Sequence, residues 1–267
     1  TAKFGTEIAV SVIKYLNFKN GADFVIGSDV QPGSGLGASS SLTVNFMNTL
    51  SKLQKKRFSN NQIAEKAFFI ERNILSHPIG KQDDYIASHG GLNYIKFSKN
   101  DVSVTPIKLK KSKFNELQNN LLLFFIGTTR KSSTVLSKQL KKTKNLEPVT
   151  LNSLHKVNDL GKDLFKSLKK SDLTQVGEIL DKGWREKKNF TKQVSNSKID
   201  KIYENAIKKG AIGGKLTGAG AGGHMLFYCE PKKQNLVKNE MKRLGLKHID
   251  FKFYKNGPKL LNLYDFL

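Results

Sequence analysis

The amino-acid sequence predicts an α+β fold, in which helices and strands occur together in each half of the chain. Two observations carry this prediction. Leu121–Ile126 (LLLFFI) is a short, uninterrupted apolar run, as expected for a buried strand. Gly5–Phe18 spaces its apolar residues as one face of a helix does. With 267 residues and 38% hydrophobic content, the chain can hold one large domain or two ordinary ones.

The first half of the chain is predicted to place a glycine-rich loop between a strand and a helix. The apolar run Ala22–Val30 predicts the strand, and Leu42–Leu53 has the spacing of a helix. A further helix is predicted over Asn61–Leu75, and it ends at the proline and glycine of Ser76–Gly80. The remaining predicted elements of this half are a short helix, Gln82–Ser88, and a hairpin of two strands, Leu92–Phe97 and Val102–Leu109.

The second half begins after a polar, lysine-rich stretch, Lys110–Asn120. We place the domain boundary there, which gives domains 1–120 and 121–267. From Pro148 to Lys209 the pattern is mostly helical. The elements predicted after it are a glycine loop (Gly213–Gly223), a strand (His224–Cys229), a helix (Lys232–Leu244) and two edge strands (His248–Tyr254 and Leu260–Tyr264).

Composition narrows the possible functions. The formal net charge is +24, yet only five of the 46 basic residues are arginine, and the lysines are spread along the chain. A lysine-rich solvated surface therefore explains the charge better than nucleic-acid binding does, although the charge should attract anionic ligands. No apolar run is long enough to span a membrane. The single cysteine, Cys229, excludes an internal disulfide bond and is expected in the core of a cytoplasmic protein.

The loop Gln31–Ser41 (QPGSGLGASSS) is the strongest functional signal. Its glycines alternate, at Gly33, Gly35 and Gly37, and three serines follow at the start of the next helix. Glycine lets a backbone approach a ligand closely, and unpaired N–H groups at a helix N-terminus favour phosphate. The sequence therefore predicts a phosphate-binding loop, with an ordinary strand-to-helix turn as the alternative. The loop does not fit the Walker A patterns GxxxxGKS and GxxxxGKT.

Acidic residues flank a turn in the next motif, ERNILSHPIGKQDD. Glu71 ends one helix, and Asp83 and Asp84 begin the following one, across the proline and glycine of the break. Two carboxylates brought together by such a turn can hold a cation or accept a proton. The alternative is a helix start whose acidic residues stabilise the helix dipole, with His77 and Lys81 as ordinary surface residues.

Two further motifs lie in the second half. Lys215–His224 (KLTGAGAGGH) contains GxGxxG, but it follows a helix and precedes a strand, which is the wrong order for a dinucleotide fold. A glycine hairpin that brings backbone close to a ligand or to the other domain is the preferred interpretation, and a flexible loop is the alternative. Gly127–Ser133 (GTTRKSS) offers hydroxyls and two cations to an anionic group, or is a plain polar loop.

Three of these motifs, QPGSGLGASSS, ERNILSHPIGKQD and KLTGAGAGG, occur in an order and at spacings similar to those of the GHMP small-molecule kinases. GKQDDYIASHGGLNYIKF and the stretch around GTTRKSS resemble the branch that acts on D-glycero-D-manno-heptose 7-phosphate. The resemblance implies ATP and Mg²⁺ as cofactors, a first domain like domain 2 of ribosomal protein S5, and a ferredoxin-like second domain. The alternatives are a non-catalytic nucleotide- or sugar-phosphate-binding protein and a different GHMP sugar kinase, of the galactokinase or fucokinase type.

The resemblance also implies roles for individual residues. Asp83 is implied as the catalytic base, and Ser39 and Glu71 as ligands of the magnesium ion. Ala38 stands where the family has a serine, and Ser40 is expected to compensate in part. The loop residues implied to bind the phosphates of ATP are Gly33, Ser34, Gly35, Leu36, Gly37, Ala38, Ser39 and Ser40.

The remaining expectations concern the acceptor, the start of the chain and the glycines of the third motif. Thr129 and Arg130 are expected to hold the phosphate already present on the acceptor, and Lys81 to keep Asp83 ionised. Family members carry an earlier segment with a glycine-rich, aspartate-containing substrate motif, and the chain is expected to be truncated before Thr1. No pattern predicts an oligomeric state. The glycines implied to support a cleft between the two domains are Gly218, Gly220, Gly222 and Gly223.

Overall fold

Both halves of the chain contain helices and strands, which confirms the α+β class. The computed structural model describes residues 2–127 and 132–261, and these residues form two units. Unit 1 comprises the chain up to Pro32, Gly37–Val104 and the segment from Tyr254 onward, and unit 2 comprises Gly33–Leu36 and Thr105–Phe253. The division into domains 1–120 and 121–267 stays a prediction.

Unit 1 is built mainly from helices. They are α1 (Ala2–Leu16), α2 (Ala38–Leu53), α3 (Asn60–Phe69) and α4 (Gln82–His89), and a π-helical turn over Ile70–Ile74 continues α3. The strands β1 (Asn93–Phe97) and β2 (Val102–Pro106) pair with each other, which confirms the predicted hairpin. Apolar residues at helical spacing on α1, α2 and α3 meet in one core, which includes Ile8, Val12, Val44, Met47, Ile63 and Ala67.

The segment from Tyr254 returns the chain to unit 1. The Gly91 N–H, just after α4, donates a hydrogen bond to the Tyr254 carbonyl at 2.8 Å. A side chain on Gly257 would collide with the Ser88 carbonyl, so the two backbones are in direct contact there. The end of α4 is therefore held by residues that are distant in sequence.

The predicted strand Ala22–Val30 is wrong. The backbone there forms neither helix nor strand, and Val25 is 99% exposed. An apolar run becomes a strand only where a neighbouring strand pairs with its N–H and C=O groups, and no strand in the described residues lies beside this one. Phe24 instead packs against Phe46 of α2, with the ring centroids 5.4 Å apart.

Unit 2 contains a sheet whose strands are β3 (Leu121–Phe125), β4 (Gly213–Leu216), β5 (His224–Tyr228) and β6 (Lys247–Ile249). The described strands pair antiparallel in the order β4–β5–β3–β6. The buried strand predicted at Leu121–Ile126 is confirmed, whereas the predicted glycine loop begins only after β4. The strand predicted over His248–Tyr254 is limited to β6. Leu260 and Leu261 belong to no strand, and residues 262–264 lie outside the described residues.

The helices of unit 2 are α5 (Lys111–Asn119), α6 (Ser132–Lys144), α7 (Pro148–Lys169), α8 (Val176–Lys188), α9 (Ser197–Lys208) and α10 (Pro231–Arg243). Helices α7 to α10 confirm the helical predictions over Pro148–Lys209 and Lys232–Leu244, whereas α5 forms within the polar stretch that is predicted as a domain boundary. Helices α6 to α10 share with the sheet a core that includes Trp184 and Phe124. A side chain on Gly213 would collide with the Gly177 carbonyl of α8, so glycine here permits close packing of a strand on a helix. Cys229 lies in this core, and burial raises its pKa to about 11. No helix in the described residues is long and apolar enough to cross a membrane.

Candidate active site

The N-terminus of α2 is shaped to receive an anion. Gly37 precedes the helix with φ 73°, in the left-handed region, and as a glycine it gives the first turn no side-chain cap. The Ser41 N–H donates to the Gly37 carbonyl, which leaves the N–H groups of Ala38, Ser39 and Ser40 ahead of the first helical hydrogen bond. Such N–H groups, together with the helix dipole, favour a phosphate.

Glu71 is hydrogen-bonded to the first two turns of α2. The Thr43 hydroxyl donates to Oε1 of Glu71 at 2.6 Å, and the Ser39 hydroxyl donates to the same atom at 2.9 Å. The Ser40 hydroxyl donates a longer bond, 3.4 Å, to Oε2. Glu71 is completely buried, and burial raises its pKa, an effect that the hydroxyls offset only in part. The sequence places Ser39 and Glu71 in one site, and the two are in direct contact; it misses Thr43, one helical turn from Ser39.

A π-helical turn presents this glutamate. Ile70 and Glu71 are consecutive and both are completely buried, the first in the core of unit 1 and the second against α2. Turns of this type occur mostly as short interruptions of α-helices, often at functional sites. The helix predicted over Asn61–Leu75 is confirmed in extent, and only the hydrogen-bond pattern of its last turn differs.

The N-terminus of α4 carries two aspartates with different surroundings. Asp83 is exposed, and a Cβ built on Gly37 would lie 3.8 Å from its Cγ atom, so this carboxylate is beside the start of α2. Asp84 is completely buried, and neither of its carboxylate oxygens has a hydrogen-bond partner among the described residues. Burial, followed by the charges of Glu71 and Asp83, raises the pKa of Asp84 to about 8. Asp83 thus lies near the predicted phosphate site, and its catalytic role stays a prediction.

Another carboxylate of unit 1 is neutralised within the chain. The Lys81 ammonium binds Glu65 of α3 at 2.7 Å, and the Tyr85 hydroxyl donates to the same carboxylate at 2.5 Å. Burial acts to raise the pKa of Glu65, but these two partners outweigh it and hold the pKa below its ordinary value. Lys81, which the sequence assigns to Asp83, therefore forms its ion pair with Glu65.

The first half of the glycine-rich loop belongs to unit 2, where the third sequence motif supports it. A Cβ on Gly218 would lie 2.7 Å from the Gly35 Cα atom, and a side chain on Gly223 would collide with the Ser34 carbonyl. The same carbonyl is 2.9 Å from Nδ1 of His224, for which no role is predicted. These glycines are needed because two backbones touch at this point. The motif is a packing partner of the loop.

The other predicted residues are placed as follows. Gly33 is exposed and Leu36 is half-buried. An added Cβ on Gly220 would lie 2.9 Å from the Val194 Cα atom, and Gly222 is buried. Thr129 and Arg130 lie outside the described residues, so their role in holding the acceptor stays a prediction.

The oxygen atoms around Glu71 suit a hard cation such as Mg²⁺, if a bound phosphate supplies some of its ligands. In residues 2–127 and 132–261, no three His, Cys, Asp or Glu side chains converge on one metal position. The Ser39 hydroxyl and the Glu71 carboxylate are oxygen ligands of the kind that Mg²⁺ takes when phosphates and water complete its shell. The unpartnered carboxylate of Asp84 fits a site that receives positive charge.

Known protein families and individual kinases match this chain over most of its length. The GHMP kinases N terminal domain family matches residues 6–91, and the GHMP kinases C terminal family matches residues 164–246. A D-glycero-alpha-D-manno-heptose 7-phosphate kinase of Campylobacter jejuni is 37% identical over 234 residues, which are 87% of this chain and 68% of that protein. A mevalonate kinase of Pyrococcus horikoshii is 27% identical over 84% of this chain and 64% of its own length.

A solved structure agrees with these matches. The crystal structure of a D-glycero-D-manno-heptose 1-phosphate kinase from Bacteroides thetaiotaomicron aligns with a TM-score of 0.74 and 25% identity, over 96% of this chain and 75% of that one. These relatives are phosphotransferases, and the chain spans roughly two thirds to three quarters of their length. The family resemblance of the sequence motifs is confirmed: this chain belongs to the GHMP kinase family.

Proposed function

We propose that this chain transfers the γ-phosphoryl group of ATP to a hydroxyl of a sugar phosphate, with D-glycero-D-manno-heptose 7-phosphate as the favoured acceptor. One observation carries the proposal: the uncapped N-terminus of α2 adjoins a buried glutamate on one side and Asp83 on the other. Such a transfer requires positioning and charge neutralisation more than covalent chemistry by the protein. The favoured acceptor rests on the 37% identity to the Campylobacter jejuni heptose 7-phosphate kinase.

The residues at the start of α2 would bind the phosphates. The N–H groups of Ala38, Ser39 and Ser40 lie before the first helical hydrogen bond, where they can donate to phosphate oxygens. The Ser39 hydroxyl and Glu71 would hold Mg²⁺, which neutralises charge on those oxygens when bound. Thr43 keeps Glu71 oriented through its 2.6 Å hydrogen bond.

Asp83 would act on the acceptor. Its carboxylate is exposed, close to Gly37, and so is accessible to a hydroxyl that approaches the phosphate site. There it would orient the hydroxyl and take up its proton as the new O–P bond forms, the bond from the γ-phosphorus to the β–γ bridging oxygen breaks, and ADP leaves. General-base assistance of this kind contributes on the order of 10²–10⁴ in rate.

A second candidate function is binding of nucleotide and sugar phosphate without transfer. It would use the N–H groups at the start of α2, which can bind a phosphate whether or not transfer follows. Phosphoryl transfer needs both Glu71 and Asp83, whereas binding alone does not.

The test is phosphorylation of candidate acceptors by the full chain with Mg-ATP. Heptose 7-phosphate, galactose, fucose and mevalonate would be compared, and the product identified by ³¹P NMR. Asp83→Asn should lower kcat by about 10²–10⁴-fold while the affinity for an ATP analogue is retained. Asp101→Asn, an exposed change elsewhere in unit 1, is the matched control and should keep normal turnover.

Two results would contradict the proposal. Near-normal turnover in Asp83→Asn would remove Asp83 from the catalytic role. Binding of the ATP analogue with no phosphorylation of any acceptor would favour the non-catalytic alternative.

A further inference from the structure

Asp84 is a buried carboxylate that the chain leaves without a partner. It is 0% exposed, and neither Oδ1 nor Oδ2 has a hydrogen-bond partner in the described residues. Buried polar groups in folded proteins are almost always hydrogen-bonded, and a buried charge is paired or bound to a metal. Glu71, equally buried, has three hydroxyl donors. The exception at Asp84 therefore calls for an explanation.

The surroundings of Asp84 identify the missing partner. Besides burial, the groups that act on its carboxyl are Glu71 and Asp83, which are both acidic, the Ser40 hydroxyl and the backbone N–H of Asp84 itself. Ser40 is near both buried carboxylates, but its hydrogen bond goes to Oε2 of Glu71, at a long 3.4 Å. Two buried carboxylates thus repel each other near the first turn of α2, and the Ser40 hydroxyl acts on both. A small cation would relieve their repulsion and use the unpaired oxygens.

Two cations of the described residues, Lys81 and His77, do not fill this role. The Lys81 ammonium is bound to Glu65 by two contacts of 2.7 Å, and the Tyr85 hydroxyl donates to the same carboxylate. His77 acts on Glu71, but its effect is smaller than those of Thr43 and Ser39. The positive charge must then come with a ligand.

We propose that Asp84 is a second carboxylate ligand of the divalent cation that the Ser39 hydroxyl and Glu71 bind. One or two carboxylates, completed by phosphates and water, are the usual protein contribution to a magnesium site. The inference rests on the proposed function, because it takes the cation to be the one that accompanies ATP. It gives Asp83 and Asp84 separate tasks, one toward the acceptor and the other toward the metal.

The test measures metal binding directly. Mn²⁺, which is visible by electron paramagnetic resonance, would be titrated into the full chain with and without a non-hydrolysable ATP analogue. Asp84→Asn should weaken Mn²⁺ binding at least about tenfold, since even residues that only support a metal ligand cost 10–100-fold. Asp83→Asn removes a neighbouring charge without removing the buried carboxylate, and should change the affinity by less than about threefold.

Thermal unfolding supplies a second readout and a check on folding. The wild-type chain should gain stability with rising Mn²⁺, and Asp84→Asn should lose most of that gain. Without metal, Asp84→Asn should unfold at the wild-type temperature or above, because it removes a buried, unpaired carboxylate. Asp84→Ser, which is smaller, is the second variant if the amide is poorly accommodated, and the same loss of Mn²⁺ binding is expected.

The outcomes separate this inference from the proposed function. Wild-type Mn²⁺ affinity in both Asp84 variants would overturn the inference and leave the proposed function standing. A wild-type chain that binds neither Mn²⁺ nor the ATP analogue would overturn both. Equal weakening by Asp83→Asn and Asp84→Asn would overturn the inference, since charge alone would then explain the effect.

Discussion

Glu65 and Glu71 lie close together on one helical run, yet their surroundings are opposite. Glu65 is 42% exposed and has Lys81 and Tyr85 as partners, and its pKa lies below the ordinary value. Glu71 is completely buried among hydroxyls, and its pKa lies above it. The charge of Glu65 is balanced by an ion pair, whereas Glu71 has hydroxyl hydrogen bonds that offset the effect of burial only in part. The proposed cation site lies at the second of these two carboxylates.

The largest expected difference in activity is between the variants in which Glu71 or Glu65 is replaced by glutamine. Glu71→Gln should lower kcat/KM on the order of 10²–10³-fold, as when one group that stabilises developing charge is removed. Glu65→Gln should stay within about threefold of the wild type, because its charge serves only a partly exposed ion pair. Steady-state kinetics over a range of Mg²⁺ concentrations measures both. Equal losses in the two variants would contradict the difference between the two carboxylates.

A smaller effect should follow from removing one hydroxyl beside each glutamate. Thr43→Val deletes the 2.6 Å bond to buried Glu71, and the free energy of unfolding should fall by about 1–3 kcal/mol. Tyr85→Phe leaves Lys81 on Glu65 and should cost about 1 kcal/mol or less. Urea unfolding followed by circular dichroism would measure both values. A larger loss for Tyr85→Phe would contradict the distinction between the two sites.

The smallest effect concerns pH. The pKa of Glu65 is lowered in the folded chain, so its ionised form stabilises the fold above the ordinary value of 4.5. That contribution is lost as the pH falls through the lower, folded value. Because the side chain is 42% exposed, it should amount to less than about 1 kcal/mol. The difference in unfolding free energy between wild type and Glu65→Gln should be present at neutral pH and vanish in acid; a constant difference would contradict this origin.

The sequence predicts which segments meet at the site better than it predicts which side chains face it. Ser39 and Glu71 follow from two motifs and their resemblance to a family, and they are hydrogen-bonded. Asp83 and Asp84 are adjacent, and successive residues of a helix point about 100° apart. Which of them is buried depends on how α4 is rotated about its axis against α2. That rotation depends on the packing of the two helices and cannot be predicted from the sequence of either one.

The same distinction applies to the fold. Helix α1 and strand β3 can be predicted from their own sequences, because the apolar residues of each face a core: that of unit 1 for α1 and that of unit 2 for β3. Ala22–Val30 has the sequence pattern of a strand, but no described strand pairs with it. Gly213 is predicted to begin a loop, although it lies in β4 and packs against α8. Pairing and close backbone approach are properties of two segments, so a single segment cannot predict them.

The discontinuity of the two units has a consequence for how the protein is made. Unit 1 includes the residues from Tyr254 onward, while unit 2 includes Gly33–Leu36 from the early part of the chain. A ribosome therefore synthesises all of unit 2 before the closing piece of unit 1 emerges. Neither unit corresponds to one uninterrupted stretch of gene, and shuffling either one into another protein would require cutting the coding sequence at more than one place.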